Sequence, residues 1–176
     1  MQMRRFTALV VPLVFLACGS HATPAAPSPA VLDLVPGSYA MTLTMSQSGD
    51  PVCTGGVCTA FSVCSGDGGA FPSRTLSTVV RLDRAGDSVS IRAEDPSATI
   101  RLDLQLTGSA LGGTALGQFR DGAQQVVVAP SAGQQAAVAT GIVMTASVAG
   151  RIQGQMSVGG YSCSNNGHSW TLTPRR

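Results

Sequence analysis

"TIRLDLQLT", residues 99–107, sets Ile100, Leu102, Leu104 and Leu106 against Arg101, Asp103 and Gln105 in strict alternation. An extended chain sends successive side chains to opposite faces, so this stretch reads as a strand with one apolar and one wet face. The pattern recurs on both sides of it. Upstream, "SYAMTLTMS" (38–46) places Tyr39, Met41, Leu43 and Met45 on one face and Thr42, Thr44 and Ser46 on the other. "RTLSTVVRLDR" (74–84) opposes Leu76, Val80 and Leu82 to Arg81 and Asp83, and "SVSIRAE" (88–94) opposes Val89, Ile91 and Ala93 to Ser88, Ser90 and Arg92. Downstream, "ATGIVMTAS" (139–147) and "RIQGQMSV" (151–158) bring apolar Ile142, Met144, Ile152, Met156 and Val158, and "SWTLT" (169–173) brings Trp170 and Leu172.

Turn residues stand between these runs: Ala85-Gly86-Asp87, Asp95-Pro96-Ser97, Gly108-Ser109, Asp121-Gly122, Ala149-Gly150 and Asn166-Gly167. Connections this short join antiparallel neighbours. No segment of useful length has a helical period. The expected fold is all-β, an antiparallel up-and-down barrel of 8–10 strands or a strongly curled sheet, because closure removes the edges of a long narrow sheet. A two-sheet β-sandwich is the alternative. Gly113, Gly117, Gly141 and Gly154 fall inside strand candidates, where a bend or bulge is expected.

The N-terminus is organised differently. Arg4 and Arg5 precede an apolar run, Phe6 to Ala17, of 12 residues. A membrane-spanning helix needs about 20, so this is the layout of an export signal over residues 1–17. Residues 19–31 are rich in Ala, Pro and Ser and carry no charged side chain. Such a segment buries too little apolar surface to offset its ordering entropy, and is expected to act as a tether. A single domain is expected over 32–176, long enough for one core.

Phe15-Leu16-Ala17-Cys18 resembles the lipobox of bacterial lipoproteins, in which a small residue precedes the cysteine that is lipidated. The resemblance covers residues 1 to about 20 and implies acylation of Cys18, cleavage before it, and partnership with a membrane through the lipid. Gly19 stands where inner-membrane retention signals often have Asp, which implies the outer membrane or the cell surface. The alternative is a secretory signal cut after Ser20-His21-Ala22, giving a soluble product.

Without Arg4 and Arg5, nine arginines face nine acids, and the chain has no lysine. A chain without basic excess has little to neutralise phosphates, so nucleic acid is not an expected partner. Four cysteines follow Cys18: Cys53, Cys58 and Cys64 in "CTGGVCTAFSVC", and Cys163 in "YSCSNNGHSW". An even number in an exported chain implies disulfides. Three pairings are open, and each joins Cys163 to the distant loop. The expected bridge runs from Cys53 or Cys64 to Cys163, with the remaining two joined locally. In a meander this requires an even strand total. Either "QQVVVAP" (124–130) is not a separate strand, or the cysteine loop supplies one. No metal site is expected, since the spacing is not that of paired C-x-x-C.

Gly37-Ser38-Tyr39 at the first strand, with Arg175 after the last, resembles the lipocalin-like small barrels, where G-x-Trp opens the first strand and a basic residue covers one end. This resemblance implies a barrel. Candidate catalytic groups are scarce. His168 lacks a recognisable partner and is expected in a solvated loop, no G-x-S-x-G is present, and "CSGDGGAF" (64–71) lacks the Lys-Ser/Thr of a phosphate loop. The acids Asp83, Asp87, Glu94, Asp95 and Asp103 read as solvated hairpin charges pairing across strands with Arg81, Arg84, Arg92 and Arg101. The expected function is therefore non-enzymatic and cofactor-free: a membrane-anchored envelope lipoprotein acting as a structural module or on a protein partner. The alternative is a barrel that binds a small apolar ligand, its pocket lined by Tyr39, Met41, Leu43, Leu102, Leu104 and Trp170, with Met45, Met144 and Met156 as adaptable neighbours.

Overall fold

The computed structural model describes residues 33–49, 51–54, 57–59, 62–66 and 74–175. Cys18, His21, the expected export signal and tether, and most of "CSGDGGAF" lie outside them. Among the described residues there are twelve strands: β1 Gly37–Met45, β2 Val52–Thr54, β3 Val57–Thr59, β4 Ser62–Ser65, β5 Arg74–Ala85, β6 Ser88–Ala93, β7 Arg101–Thr107, β8 Ala110–Asp121, β9 Gln124–Ala129, β10 Ala137–Val143, β11 Val148–Val158 and β12 Tyr161–Pro174. Ten form one antiparallel sheet, and β2 and β3 pair as a separate hairpin.

Hydrogen bonds close a ring through eight strands, β1-β5-β6-β7-β8-β10-β11-β12, returning from β12 to β1. The neighbours in this ring follow one another in sequence, as in an up-and-down meander. The sheet is nevertheless not evenly barrel-shaped, because two strand positions are split. β12 pairs with β1 over Ser169–Pro174 and with β4 over Ser162–Asn165, so β4 takes up the line of β1. Likewise β9 and β10 share the position between β8 and β11, β9 beside their far halves and β10 beside their near ones. The ring's eight positions are an even total, to which neither segment in question adds a position of its own. "QQVVVAP" is half of a shared strand position, and the cysteine loop contributes β4.

The period of two orients the side chains. Met41, Leu43 and Met45 of β1, Val80 and Leu82 of β5, Ile91 of β6, Leu102 of β7, Ile152 and Met156 of β11 and Leu172 of β12 have no exposed surface. They belong to one continuous core. Leu34, 2% exposed, joins this core from just before β1. Its segment is fastened by Arg84 to Asp33 at 3.3 Å and by the Tyr39 hydroxyl donating to the Val35 carbonyl at 2.9 Å. Leu34 therefore closes the end where the chain enters. Arg175 is exposed there, and its backbone N–H donates to Ser38.

One strand faces opposite to the expectation. Ile142 and Met144 are 59% and 43% exposed, whereas Ala137, Ala139 and Gly141 point inward. The cause is Trp170, whose indole lies across β11 and β10. A Cβ added at Gly150 would come within 2.5 Å of its Nε1, and one at Gly141 within 2.8 Å of its Cζ2. The indole N–H donates to the Thr140 carbonyl at 3.0 Å, satisfying the polar atom that burial would otherwise strand. Small residues facing inward beside this ring leave room for it, and Val138, Thr140 and Ile142 are turned outward, while Val143 at the strand end joins the core.

Two expected turns are also strand. Ala149 and Gly150 lie within β11, the connection from β10 being 144–147. Asn166-Gly167 is a bulge inside β12, whose hairpin turn is Gly159-Gly160. The acids pair along strands rather than across them: Arg81 with Asp83 at 3.2 Å, and Arg101 with Asp103. Arg81, Arg92 and Arg101 stand directly opposite one another in register, which leaves acids two places along the same strand as the near partners.

Candidate functional site

The irregular places in the sheet lie at one level. β1 ends at Met45, and β4 resumes its line after 46–61. Beside that break, the β12 bulge sets Asn166 and Gly167 against Gln153 of β11. Beside Gln153 and Gly154, the shared β9/β10 position is interrupted by 130–136. A Cβ on Gly154 would meet the Ala137 Cβ at 2.6 Å and the Ala129 carbonyl at 2.8 Å, so glycine is what permits the close approach there. Next along, β8 kinks at Gly117, φ 115°. A fault line thus crosses neighbouring strand positions from β1/β4 to β8, and the strand halves beyond it form a tier ordered β4-β12-β11-β9-β8.

The fault line gathers buried polar groups. Bulges change which way side chains point. Through this one His168 faces inward with no exposed surface, where a solvated loop histidine was expected. The Ser46 backbone N–H donates to its Nδ1 at 3.1 Å, and its Nε2 lies 3.0 Å from the Cys163 carbonyl. A carbonyl only accepts, so Nε2 carries the hydrogen and the ring is the neutral Nε2–H tautomer. Burial holds its pKa below the ordinary value, against the opposing effect of backbone hydrogen bonds with Cys163 and Gly154. Asn165, 2% exposed, donates to the Ser46 carbonyl at 2.8 Å and accepts from the Gly167 N–H at 2.8 Å. Ser62 of β4 donates to the Gln47 carbonyl. Together these bonds tie the exit of β1 and the start of β4 to β12.

Cys64 and Cys163 are directly opposed on β4 and β12 and form a disulfide, with Cα atoms 4.1 Å apart and a sequence separation of 99. This is one of the two long bridges expected from the sequence. The hairpin register sets Cys53 opposite Cys58.

The six residues read from the sequence as candidate pocket lining all face the interior. Tyr39 is 4% exposed, Leu104 2%, Trp170 1%, and Met41, Leu43 and Leu102 are fully buried. They pack into the common core together with Met45 and Met156, while Met144 lies outside it. Among the described residues no group of three His, Cys, Asp or Glu is placed to hold a metal ion. Asp95, fully exposed, caps its own turn by accepting from the Ser97 N–H and hydroxyl at 2.8 Å, and these bonds lower its pKa. Sequence reading missed Asn165, Ser46 and the 130–136 segment as parts of one place. Pro130-Ser131-Ala132-Gly133 was a readable loop signal, but nothing in it tells which strands it interrupts. Comparison with protein families, with curated proteins and with solved structures finds no match for this chain.

Proposed function

We propose that the chain is an exported lipoprotein of the cell envelope, held at the membrane by a lipid on Cys18, whose barrel serves as a rigid interaction module. The observation that carries this reading is the filled interior. Met41, Leu43, Leu102, Trp170 and Leu172 occupy the space that a carrier of apolar molecules would leave open, and Leu34 closes the near end. Small barrels of about eight strands either pack their interiors or hold one small ligand, and packed side chains favour the first use. Interaction then falls to the outer surface.

The Cys64–Cys163 bridge supports export, since such bonds persist in oxidising compartments. The chain enters β1 at the end opposite the fault line. Residues 19–32 reach about 50 Å at most when extended, so the far tier would stand clear of the membrane. Mass spectrometry of the protein extracted from its own membranes tests the anchor. A mass beginning at Cys18 with acyl chains added is expected. A mass beginning at Thr23 without acyl chains would overturn it in favour of plain secretion.

A further inference from the structure

On its outer side the fault line opens into a cleft of about 350 Å³. Val63 of β4, Ser164 and Asn166 of β12, Gln153 of β11, and Ser131, Ala132 and Gln134 of the 130–136 segment line it, with Asn165 behind them. We propose that this cleft binds a neutral oligosaccharide. This goes beyond the anchored-module reading and does not depend on how the chain is held.

Among the described residues no lining side chain is ionisable. Phosphorylated, sulfated or carboxylated ligands would therefore find no counter-charge in that lining, Arg151 standing beside it with its guanidinium donating to the Gly167 carbonyl. What the walls offer is amides and hydroxyls, each able to donate and accept, which matches the paired capacity of sugar hydroxyls. Val63, 58% exposed, and Ala132 give an uncharged apolar face for the C–H side of a sugar ring. The volume lies at the small end of ligand sites.

The walls are also held in advance. The disulfide fixes β4 to β12 at Cys163, next to Ser164. Asn165 is locked by its bonds to Ser46, Ser62 and Gly167. Arg151 braces the bulge by donating to the Gly167 carbonyl at 3.1 Å. Such support lowers the ordering cost of binding.

The remaining wall is the 130–136 segment, whose place in the register is informative. Val128 pairs with Gly117 and Ala137 with Ala115, while Ala129 pairs with Gln155 and Val138 with Gln153. If Ala129 were joined directly to Ala137, both ladders would run on without a gap and in the same facing. The segment is therefore an insertion into a strand that the fold does not need interrupted, and its visible product is the cleft wall.

The test uses the ¹⁵N-labelled full chain in a detergent without a sugar headgroup. It is titrated with maltotriose, with tri-N-acetylchitotriose, with glucose 6-phosphate and with a blocked trialanine peptide. At least one neutral saccharide should shift the side-chain amide signals of Gln134 and Gln153 saturably. Gln134→Ala/Gln153→Ala, two exposed positions, should weaken that binding about tenfold or more, the loss of two hydrogen bonds. Deletion of 130–136 should abolish it in a protein that still folds. The proposal is overturned if neither neutral saccharide shifts these signals, if the phosphate or the peptide binds more tightly, or if the double variant binds unchanged.

Discussion

His168 is the residue whose chemistry the fold constrains most. Its Nδ1 accepts from Ser46, so a proton placed there would confront an N–H and break the tie between β1 and β12. Burial holds the pKa below 6.5. Above pH 6.5 the folded and unfolded chains both carry a neutral ring, and this group leaves stability level. As pH falls below 6.5 the unfolded chain takes up the proton first, so stability is lost down to the folded value. The slope from one such group is at most ~1.4 kcal/mol per pH unit. Urea denaturation at pH 7.5 and pH 5 should therefore give a lower midpoint at the lower pH. In His168→Gln the midpoint should be reduced at pH 7.5, through the altered buried contacts, but should change little between the two. An equal pH dependence in that variant would remove His168 as the cause.

At the scale of elements, the Cys64–Cys163 bridge joins β4, a four-residue strand on the sheet edge, to the longest strand of the molecule. A strand as short as β4 has little packing of its own, since its residues are exposed. Closing a loop of this length removes unfolded-chain entropy, and replacing both cysteines by Ala should cost about 2–5 kcal/mol. The loss should read as a lower urea midpoint, and an unchanged midpoint would show that the bridge adds nothing. Strand elements were legible wherever one face was apolar and the other charged, as in β5, β6 and β7, because alternation reports a half-buried sheet directly. The sequence was misleading where small residues face inward. β10 turns Ile142 outward because Trp170, a residue of another strand, occupies the space over Gly141. The bulge that buries His168 was hidden for a related reason. Asn166-Gly167 reads locally as a turn, and only the pairing of β12 with β11 on one side and β4 on the other makes it strand. Pairwise cues were readable, whereas contacts fixed by a third strand were not.

At the scale of the whole molecule, the ring and the fault line have different requirements. The ring needs a continuous ladder at each position, and the 130–136 segment supplies none of it: Val128 and Ala137 stand opposite Gly117 and Ala115 of β8, and Ala129 and Val138 opposite Gln155 and Gln153 of β11, so a direct Ala129–Ala137 join would fill the one place left on each ladder. Val126 and Val128 of β9 and Ala137 and Ala139 of β10 are all buried, so the inward alternation also continues across the interruption. A chain lacking 130–136 should keep its far-ultraviolet circular dichroism and unfold at the same or a higher temperature. Removing a loop reduces the ordering cost, by an amount that grows only slowly with its length. A comparable interruption at β1/β4 does not share this property, because β4 is bound through the disulfide and the Asn165 and Ser62 contacts to the residues around it. If deletion of 130–136 instead unfolded the protein, the segment would be part of the fold's support rather than an addition to it, and the register continuity would not reflect how the strand is held.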